Sequence, residues 1–275
     1  MEAGVVLAGG RSSRMGAPKA GLEWHGSTLL HRTAALLART VTGPVLVVRA
    51  PGQRLPALPA GVEVADDEAE GLGPMQGIAA GLAAVGDRAA AAFVCSTDLP
   101  FLHPAYVRRV LRGLDDPAVQ LVVPLVRGFR QPLAAAYRPG LAALVRDRLA
   151  RGSRRVSGLP DLAPAALPDE DELLADPELA RLDPRLESLR NVNTPAEYAA
   201  ARARPGPEVL LEWDGRTRPV VAATLTEAVA GLGRAPGRAR LNGVVVRPDP
   251  LLPLVTGDVI AVELQIPVDG WGGTA

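Results

Sequence analysis

Short continuous apolar segments alternate with helical patterns along the first half of the chain. Segments of this length are typical of strands buried on both faces of a sheet. They cover residues 4–8, 45–48, 62–65, 91–95 and 119–124. Apolar positions repeat with the helical period between them, at residues 28–39, 75–85 and 104–114. The alternation predicts an α/β fold with a mostly parallel sheet and helices on both faces, and ligands bind such sheets at the carboxyl edge.

The pattern changes in the second half of the chain. Residues 152–190 are rich in Pro, Asp and Leu and have weaker periodicity. Residues 194–204 predict a helix, because Thr194 is a suitable N-cap, Pro195 suits the first helical position and Glu197 completes a capping box. The Pro-Gly-Pro sequence at 205–207 breaks this helix. We therefore predict a first domain at 1–204, a linker at 205–207 and a second domain at 208–275.

The second predicted domain is small. Residues 208–213 and 218–221 read as two strands around Asp214-Gly215, a hairpin signal with a slightly long turn. Residues 224–232 read as a helix, and short strands follow. The pattern predicts a ββαβ-type unit.

Charge and cysteine content narrow the function classes. The 30 basic and 30 acidic side chains balance, so no net field attracts nucleic acid or an anionic membrane. One cysteine, Cys95, excludes an internal disulfide framework and fits a reducing compartment. The first apolar segment is too short for a signal-peptide core, and no run approaches the roughly 18 residues that span a bilayer. We expect a cytoplasmic protein that binds neither nucleic acid nor membrane.

A glycine-rich, basic segment follows the first predicted strand. Residues 7–19 read LAGGRSSRMGAPK, and Lys19 is the only lysine among the 30 basic residues. Glycines such as Gly9 and Gly10 let the backbone turn tightly and present N–H groups to an anion, while Arg14 and Lys19 add positive charge. The segment matches neither a Walker A loop nor G-x-G-x-x-G. It predicts a phosphate site; the alternative is a glycine-rich turn with solvated arginines.

This segment resembles the signature of the nucleotidyltransferases that include molybdenum cofactor guanylyltransferase, L-A-G-G-x-S-x-R-M-G-x-x-K. Other segments resemble further sequence motifs of this family and occur in the same order over residues 4–204, namely 73–82, 96–102, 131–133, 154–156 and 191–195. The resemblance implies a Rossmann-like fold. It also implies that GMP passes from GTP to molybdopterin cofactor on Mg²⁺ with release of pyrophosphate. Family variants with L-A-A-G tend to be cytidylyl enzymes, and Gly9 places this chain on the guanylyl side.

The resemblance assigns roles to individual residues. The implied nucleotide-binding residues are Leu7, Ala8, Gly9, Gly10, Lys19, Asp67 and Asp98. The implied catalytic residues are Arg14, Lys19 and Asp98, and the implied magnesium ligands are Asp98 and Asn193. Asp66 lies beside Asp67 and makes that assignment uncertain by one residue. A helix N-cap or turn role remains the alternative for Asp98, and a turn role remains the alternative for Asn193.

The implied reaction joins two anions, so charge neutralisation and alignment are the catalyst's main tasks. An acceptor phosphate is already ionised at neutral pH and needs no general base. The three histidines, which do not converge in sequence, are predicted as surface or capping residues, and Cys95 as a packing residue. Two alternatives remain open: a cytidylyl or sugar-phosphate nucleotidyltransferase, and a non-catalytic protein that binds and delivers nucleotide or cofactor.

The C-terminal region carries a second resemblance. Residues 241–246 (LNGVVV) and 254–260 (LVTGDVI) resemble the β-grasp sulfur carriers, which include the small subunit of molybdopterin synthase. These carriers need a terminal Gly-Gly, whereas Gly272-Gly273 is followed here by Thr274-Ala275. The region is therefore either a docking or folding appendage, or a fused carrier that works after trimming. Contact with other proteins of molybdenum cofactor biosynthesis is expected through it.

Overall fold

The computed structural model describes residues 1–9, 18–67, 73–233, 236–246 and 249–264. The chain divides into two compact units, Met1–Ala203 and Arg204–Ala275. The boundary lies next to the Pro-Gly-Pro sequence at 205–207.

The described residues of the first unit form eleven strands. They are β1 (Glu2–Leu7), β2 (Glu23–Trp24), β3 (Ser27–Thr28), β4 (Val45–Arg49), β5 (Glu63–Asp66), β6 (Ala91–Ser96), β7 (Leu121–Val122), β8 (Leu125–Val126), β9 (Phe129–Arg130), β10 (Ala134–Tyr137) and β11 (Ala165–Ala166). Its α-helices are α1 (Leu29–Ala38), α2 (Pro74–Val85), α3 (Pro104–Arg112), α4 (Ala142–Ala150), α5 (Glu170–Leu174), α6 (Pro177–Leu182) and α7 (Pro195–Arg202). Short 3-10 helices cover Lys19–Gly21, Gly86–Arg88, Pro139–Leu141, Val156–Asp161 and Glu187–Leu189.

A seven-stranded sheet organises the first unit, in the order β11-β7-β10-β6-β1-β4-β5. Strand β1 runs parallel to both β4 and β6, and β4 runs parallel to β5. Strand β10 is antiparallel to both β6 and β7. The sheet is therefore mostly parallel, as the alternation of apolar and helical segments predicts.

Helices cover both faces of this sheet. On β1, Val5 and Leu7 pack in one cluster with Ile78 and Leu82 of α2. Gly4, one position before Val5, faces α1, because a Cβ there would lie 2.9 Å from Leu37 Cδ1. Alternating side chains of a strand point to opposite faces, so α1 and α2 lie on opposite sides.

The parallel strands bring several loops to one edge. Strands β1, β4, β5 and β6 share a direction, so their carboxyl ends meet there. The residues that follow them are Ala8-Gly9, Ala50, Asp67 and Thr97-Asp98 respectively. In parallel α/β sheets this edge binds ligands.

The second unit contains a five-stranded sheet and one short α-helix in the described residues. The elements are β12 (Glu208–Trp213), β13 (Arg216–Val221), α8 (Leu225–Val229), β14 (Pro236–Leu241), β15 (Val244–Val246) and β16 (Val259–Leu264), with a 3-10 turn at Ala230–Leu232. The strand order is β13-β12-β16-β14-β15. Strands β12 and β16 are parallel, and the other pairs are antiparallel.

Two local predictions for this unit are wrong in detail. Strand β13 begins at Arg216, so Asp214 and Gly215 alone form the turn, with φ of 46° and 72°. Positive φ at both central residues gives the tight type I′ turn, which matches the twist of a hairpin. The predicted helix at 224–232 is α-helical only at Leu225–Val229 and tightens into the 3-10 turn at Ala230–Leu232.

Candidate functional site

Lys19 lies at the start of a 3-10 turn that follows the glycine-rich segment. Its Nζ donates to Asp98 Oδ2 at 2.8 Å and to Asn193 Oδ1 at 2.7 Å. The Lys19 side chain is 19% exposed and that of Asp98 is 13% exposed. The structure thus joins three predicted site residues from distant parts of the sequence around one ammonium group.

Asp98 follows β6 and is held from several directions. The hydroxyl of Ser96 donates to Asp98 Oδ1, and Asn191 Nδ2 donates to the same oxygen at 3.2 Å. The Val192 N–H donates to the Asp98 carbonyl at 3.0 Å. The carboxylate is therefore fixed at the carboxyl edge of the sheet.

Asn193 comes directly before α7. Thr194 caps this helix in a capping box with Glu197, as the sequence predicts. The Glu197 carboxylate accepts the N–H groups of Asn193 at 2.8 Å and Thr194 at 2.9 Å. These backbone hydrogen bonds lower the pKa of Glu197, and the bond from Asn193 has the largest effect. The helix start fixes the backbone of Asn193, while its amide oxygen faces Lys19.

A cleft of about 570 Å³ lies at the same edge. Leu7, Gly9, Asp67 and Ser96 are among the residues that line it. A Cβ at Gly9 would lie 3.3 Å from the Ala50 nitrogen, so the glycine permits a close approach of the two loops. The volume is in the range of pockets that hold small molecules.

The two adjacent aspartates have different surroundings. Asp66 accepts a hydrogen bond from Arg49 Nε at 2.6 Å, and this bond lowers the pKa of its carboxyl group. Asp67 instead lines the cleft, and its N–H donates to the Arg49 carbonyl at 2.8 Å. Only Asp67 therefore has the position expected of a residue that contacts a ligand.

Four more residues of segment 7–19 have predicted roles in nucleotide binding or catalysis. Leu7 and Ala8 are buried, and Ala8 accepts a hydrogen bond from Gln53 Nε2 at 3.0 Å. Gly10 and Arg14 lie outside the described residues. Their predicted roles in phosphate binding and catalysis stay predictions.

Several residues that support the site were not singled out from the sequence. Arg32 of α1 is buried and donates from Nε to the Pro100 carbonyl at 2.8 Å, which secures the segment after Asp98. Gln53 accepts the Ala50 N–H at 3.0 Å besides donating to Ala8, so it joins the loops that follow β1 and β4. Ser96 ends β6 two residues before Asp98, and this spacing was the available signal for its role.

His103, His31 and Cys95 have contacts other than those that hold Lys19, Asp98 and Asn193 together. His103 is the N-cap of α3 and accepts the Ala105 N–H at 3.0 Å, as predicted. His31 is buried, with Nδ1 3.2 Å from the Ala57 carbonyl, so its prediction as a surface or capping residue is wrong. Cys95 is buried in β6 as predicted, and burial raises the pKa of its thiol.

Three arginines, Arg151, Arg154 and Arg155, follow α4, and the sequence alone fits either contact with the acceptor's phosphate or pterin or a solvated helix end. Arg151, the C-cap residue of α4, pairs with Asp147 of that helix at 2.9 Å, and its side chain is 70% exposed. Arg154 and Arg155 are also exposed. A solvated helix end accounts for Arg151.

Comparison with known proteins gives consistent matches. A family model for the MobA-like NTP transferase domain matches residues 4–163. A probable molybdenum cofactor guanylyltransferase of Mycobacterium tuberculosis H37Rv is 40% identical over 166 residues, which are 59% of this chain and 81% of that protein. One from Mycobacterium marinum is 36% identical over 207 residues, 74% of this chain and 94% of that protein.

A solved structure supports the fold. Molybdopterin-guanine dinucleotide biosynthesis protein A from Archaeoglobus fulgidus superposes with a TM-score of 0.58 at 20% sequence identity. The match covers 74% of this chain and 97% of that one. Among the helices in the described part of the chain, none has the length and apolar character needed to cross a membrane. By the extent of the family match and the identity to these relatives, the chain belongs to the MobA-like NTP transferase family.

Proposed function

We propose that the first unit transfers the GMP moiety of GTP to molybdopterin cofactor and releases pyrophosphate. The observation that carries this proposal is the contact of Lys19 Nζ with both Asp98 and Asn193 beside the cleft. The curated relatives, which are named as probable molybdenum cofactor guanylyltransferases, supply the choice of substrates.

The lining of the cleft indicates separate positions for the nucleoside and the triphosphate of GTP. The nucleoside would occupy the space lined by Leu7, Gly9 and Asp67. The triphosphate would contact the glycine-rich segment, and we include Gly10 and Arg14 in the proposed site on the sequence motif alone. Lys19 would meet the phosphates, since a lysine ammonium is a compact cation suited to them.

The reaction is an in-line displacement at phosphorus. An acceptor phosphate oxygen attacks the α-phosphorus of GTP, the bond from that phosphorus to the bridging oxygen breaks, and pyrophosphate leaves with the electron pair. The acceptor phosphate is ionised at neutral pH, so no proton has to be removed first. The chain's part is to align the two anions and to offset their charge through Lys19 and Arg14.

The oxygens beside Lys19 fit a magnesium ion, which the family implies. Asp98 Oδ2 and Asn193 Oδ1 both contact one ammonium group, so they already converge on a single cation. A carboxylate and an amide oxygen are hard donors of the kind that Mg²⁺ accepts, with phosphate oxygens or water as further ligands. When bound there, the ion would neutralise charge on the triphosphate.

A nucleotide panel tests the proposal. The purified protein is incubated with molybdopterin cofactor, Mg²⁺ and one of the four nucleoside triphosphates, and pyrophosphate release is measured. We expect release with GTP, and a loss of at least about a hundredfold in Lys19→Ala, because phosphate charge then goes unneutralised. Release only with CTP would favour a cytidylyl enzyme. Tight GTP binding with no turnover would favour a delivery protein and overturn the proposal.

We propose a β-grasp fold for the second unit. Its strand order and the parallel pair of β12 and β16 support this assignment. The residues behind the resemblance to sulfur carriers have a structural role: Asn242 Nδ2 donates to Asp258 Oδ1 at 2.9 Å, and Asn242 Oδ1 accepts the Val259 N–H at 2.8 Å. Gly272-Gly273 lies outside the described residues. We favour a docking or folding appendage that contacts other proteins of the same biosynthesis.

A further inference from the structure

Lys19 occupies the point on which the two proposed metal ligands converge. Its Nζ is 2.8 Å from Asp98 Oδ2 and 2.7 Å from Asn193 Oδ1. A divalent ion held by the same two oxygens would lie within a few ångströms of the ammonium group. Two cations at that separation repel strongly. The repulsion is increased because the side chains of Lys19 and Asp98 are largely shielded from solvent.

We propose that Lys19 is an internal counter-cation that competes with the metal ion for Asp98 and Asn193. The ammonium neutralises Asp98 while the site holds no substrate, and it leaves when a triphosphate offers it another anionic partner. The metal then takes the two oxygens. This inference rests on the proposed function, since it assigns an order of events to that site.

The packing indicates which partner moves. Asp98 is fixed by the Ser96 hydroxyl, the Asn191 amide and the Val192 N–H. The backbone of Asn193 is fixed by the Glu197 carboxylate. Lys19 has a flexible four-carbon stem, so its ammonium changes position at low cost while the oxygens stay in place.

The exchange has a thermodynamic consequence. A triphosphate that attracts Lys19 removes a competitor from the metal site, so nucleotide raises metal affinity. By linkage, the metal raises nucleotide affinity by the same factor. The metal ion alone should therefore bind weakly to the protein.

Direct titration with Mn²⁺ in the absence of nucleotide tests this competition. Free Mn²⁺ is measured by electron paramagnetic resonance for the full chain, for Lys19→Met and for Arg88→Gln. The control also removes one positive charge from an ion pair, since Arg88 Nη1 lies 2.8 Å from Glu63 Oε1. We expect Lys19→Met to bind Mn²⁺ about tenfold or more tightly than the wild type, and Arg88→Gln to match the wild type.

Two further variants locate the effect. Lys19→Gln removes the charge but keeps a polar end, and it should also bind Mn²⁺ more tightly if Lys19→Met does not fold. Adding Asp98→Asn to either variant should abolish the gain. The proposal is overturned if the Lys19 variants bind Mn²⁺ no more tightly than the wild type, or if the gain persists with Asp98→Asn. The nucleotide panel is independent of this titration, so failure of the proposed reaction is recognised separately.

Discussion

At the scale of single residues, Glu197 supports the site without contributing a ligand. Its carboxylate accepts the N–H groups of Asn193 and Thr194, and the ionised form is therefore favoured. The same contacts hold the backbone from which the Asn193 amide reaches Lys19. The Glu197 carboxylate thus holds Asn193 where its amide oxygen accepts a hydrogen bond from Lys19.

This contribution should depend on pH. The folded protein has a lowered pKa at Glu197, so the carboxylate stabilises the start of α7 at neutral pH. The stabilisation is lost as the pH falls through the folded-state pKa. Amide hydrogen exchange of α7, compared at each pH between wild type and Glu197→Gln, should show greater wild-type protection near pH 7 and a ratio that falls towards one as the pH drops through the folded-state pKa of Glu197. A ratio that stays constant with pH would contradict this reasoning.

At the scale of elements, glycines on α2 allow the helix to lie close against β1. A Cβ on Gly77 would lie 3.2 Å from Leu7 Cδ2, and a Cβ on Gly81 would lie 2.5 Å from Val5 Cγ1. Val5 is fully buried in the strand, so it has little space to move. The close approach places the start of α2, at Gly73 and Pro74, in the lining of the cleft.

A substitution at Gly81 measures this packing. Gly81→Ala should lower the free energy of unfolding of the first unit by about 1–3 kcal/mol, because an added methyl group overpacks the core. Gly140→Ala is the matched control, since a Cβ there has nothing within 4 Å, and it should be neutral or slightly stabilising. Differential scanning calorimetry compares the two variants. Equal midpoints would show that α2 can shift away from β1 at no cost.

At the scale of the whole molecule, each unit has an apolar cluster of its own. One cluster joins β1, β6 and α2 and contains only residues of the first unit. Another joins β12, β16 and α8 and contains only residues of the second. Each unit therefore has the buried apolar core that a domain needs in order to fold by itself.

Truncation tests the independence of the two units. A chain that ends at Ala203 should fold and retain nucleotidyl transfer, because Lys19, Asp98 and Asn193 all belong to the first unit. Circular dichroism and pyrophosphate release from the preferred nucleotide provide the two readouts. A folded but inactive truncated chain would assign the second unit a part in the reaction and would contradict its role as an appendage.

Much of the architecture follows from local sequence. The apolar segments gave the central parallel strands, and the Thr194, Pro195 and Glu197 pattern gave the start of α7. Local signals were weaker where tertiary packing decides the outcome. His31, for example, is buried although it is polar.

The sequence by itself determined the type and order of the main elements, since hydrophobic period, capping residues and turn residues act over a few positions. It also placed Asp98 at a strand end. Only the tertiary structure decided that Asn193, 174 positions after Lys19, accepts a hydrogen bond from the same ammonium group as Asp98. It also decided that Asp67 rather than Asp66 lines the cleft. Such contacts depend on how distant segments return to one edge of the sheet, and no local pattern encodes that distance.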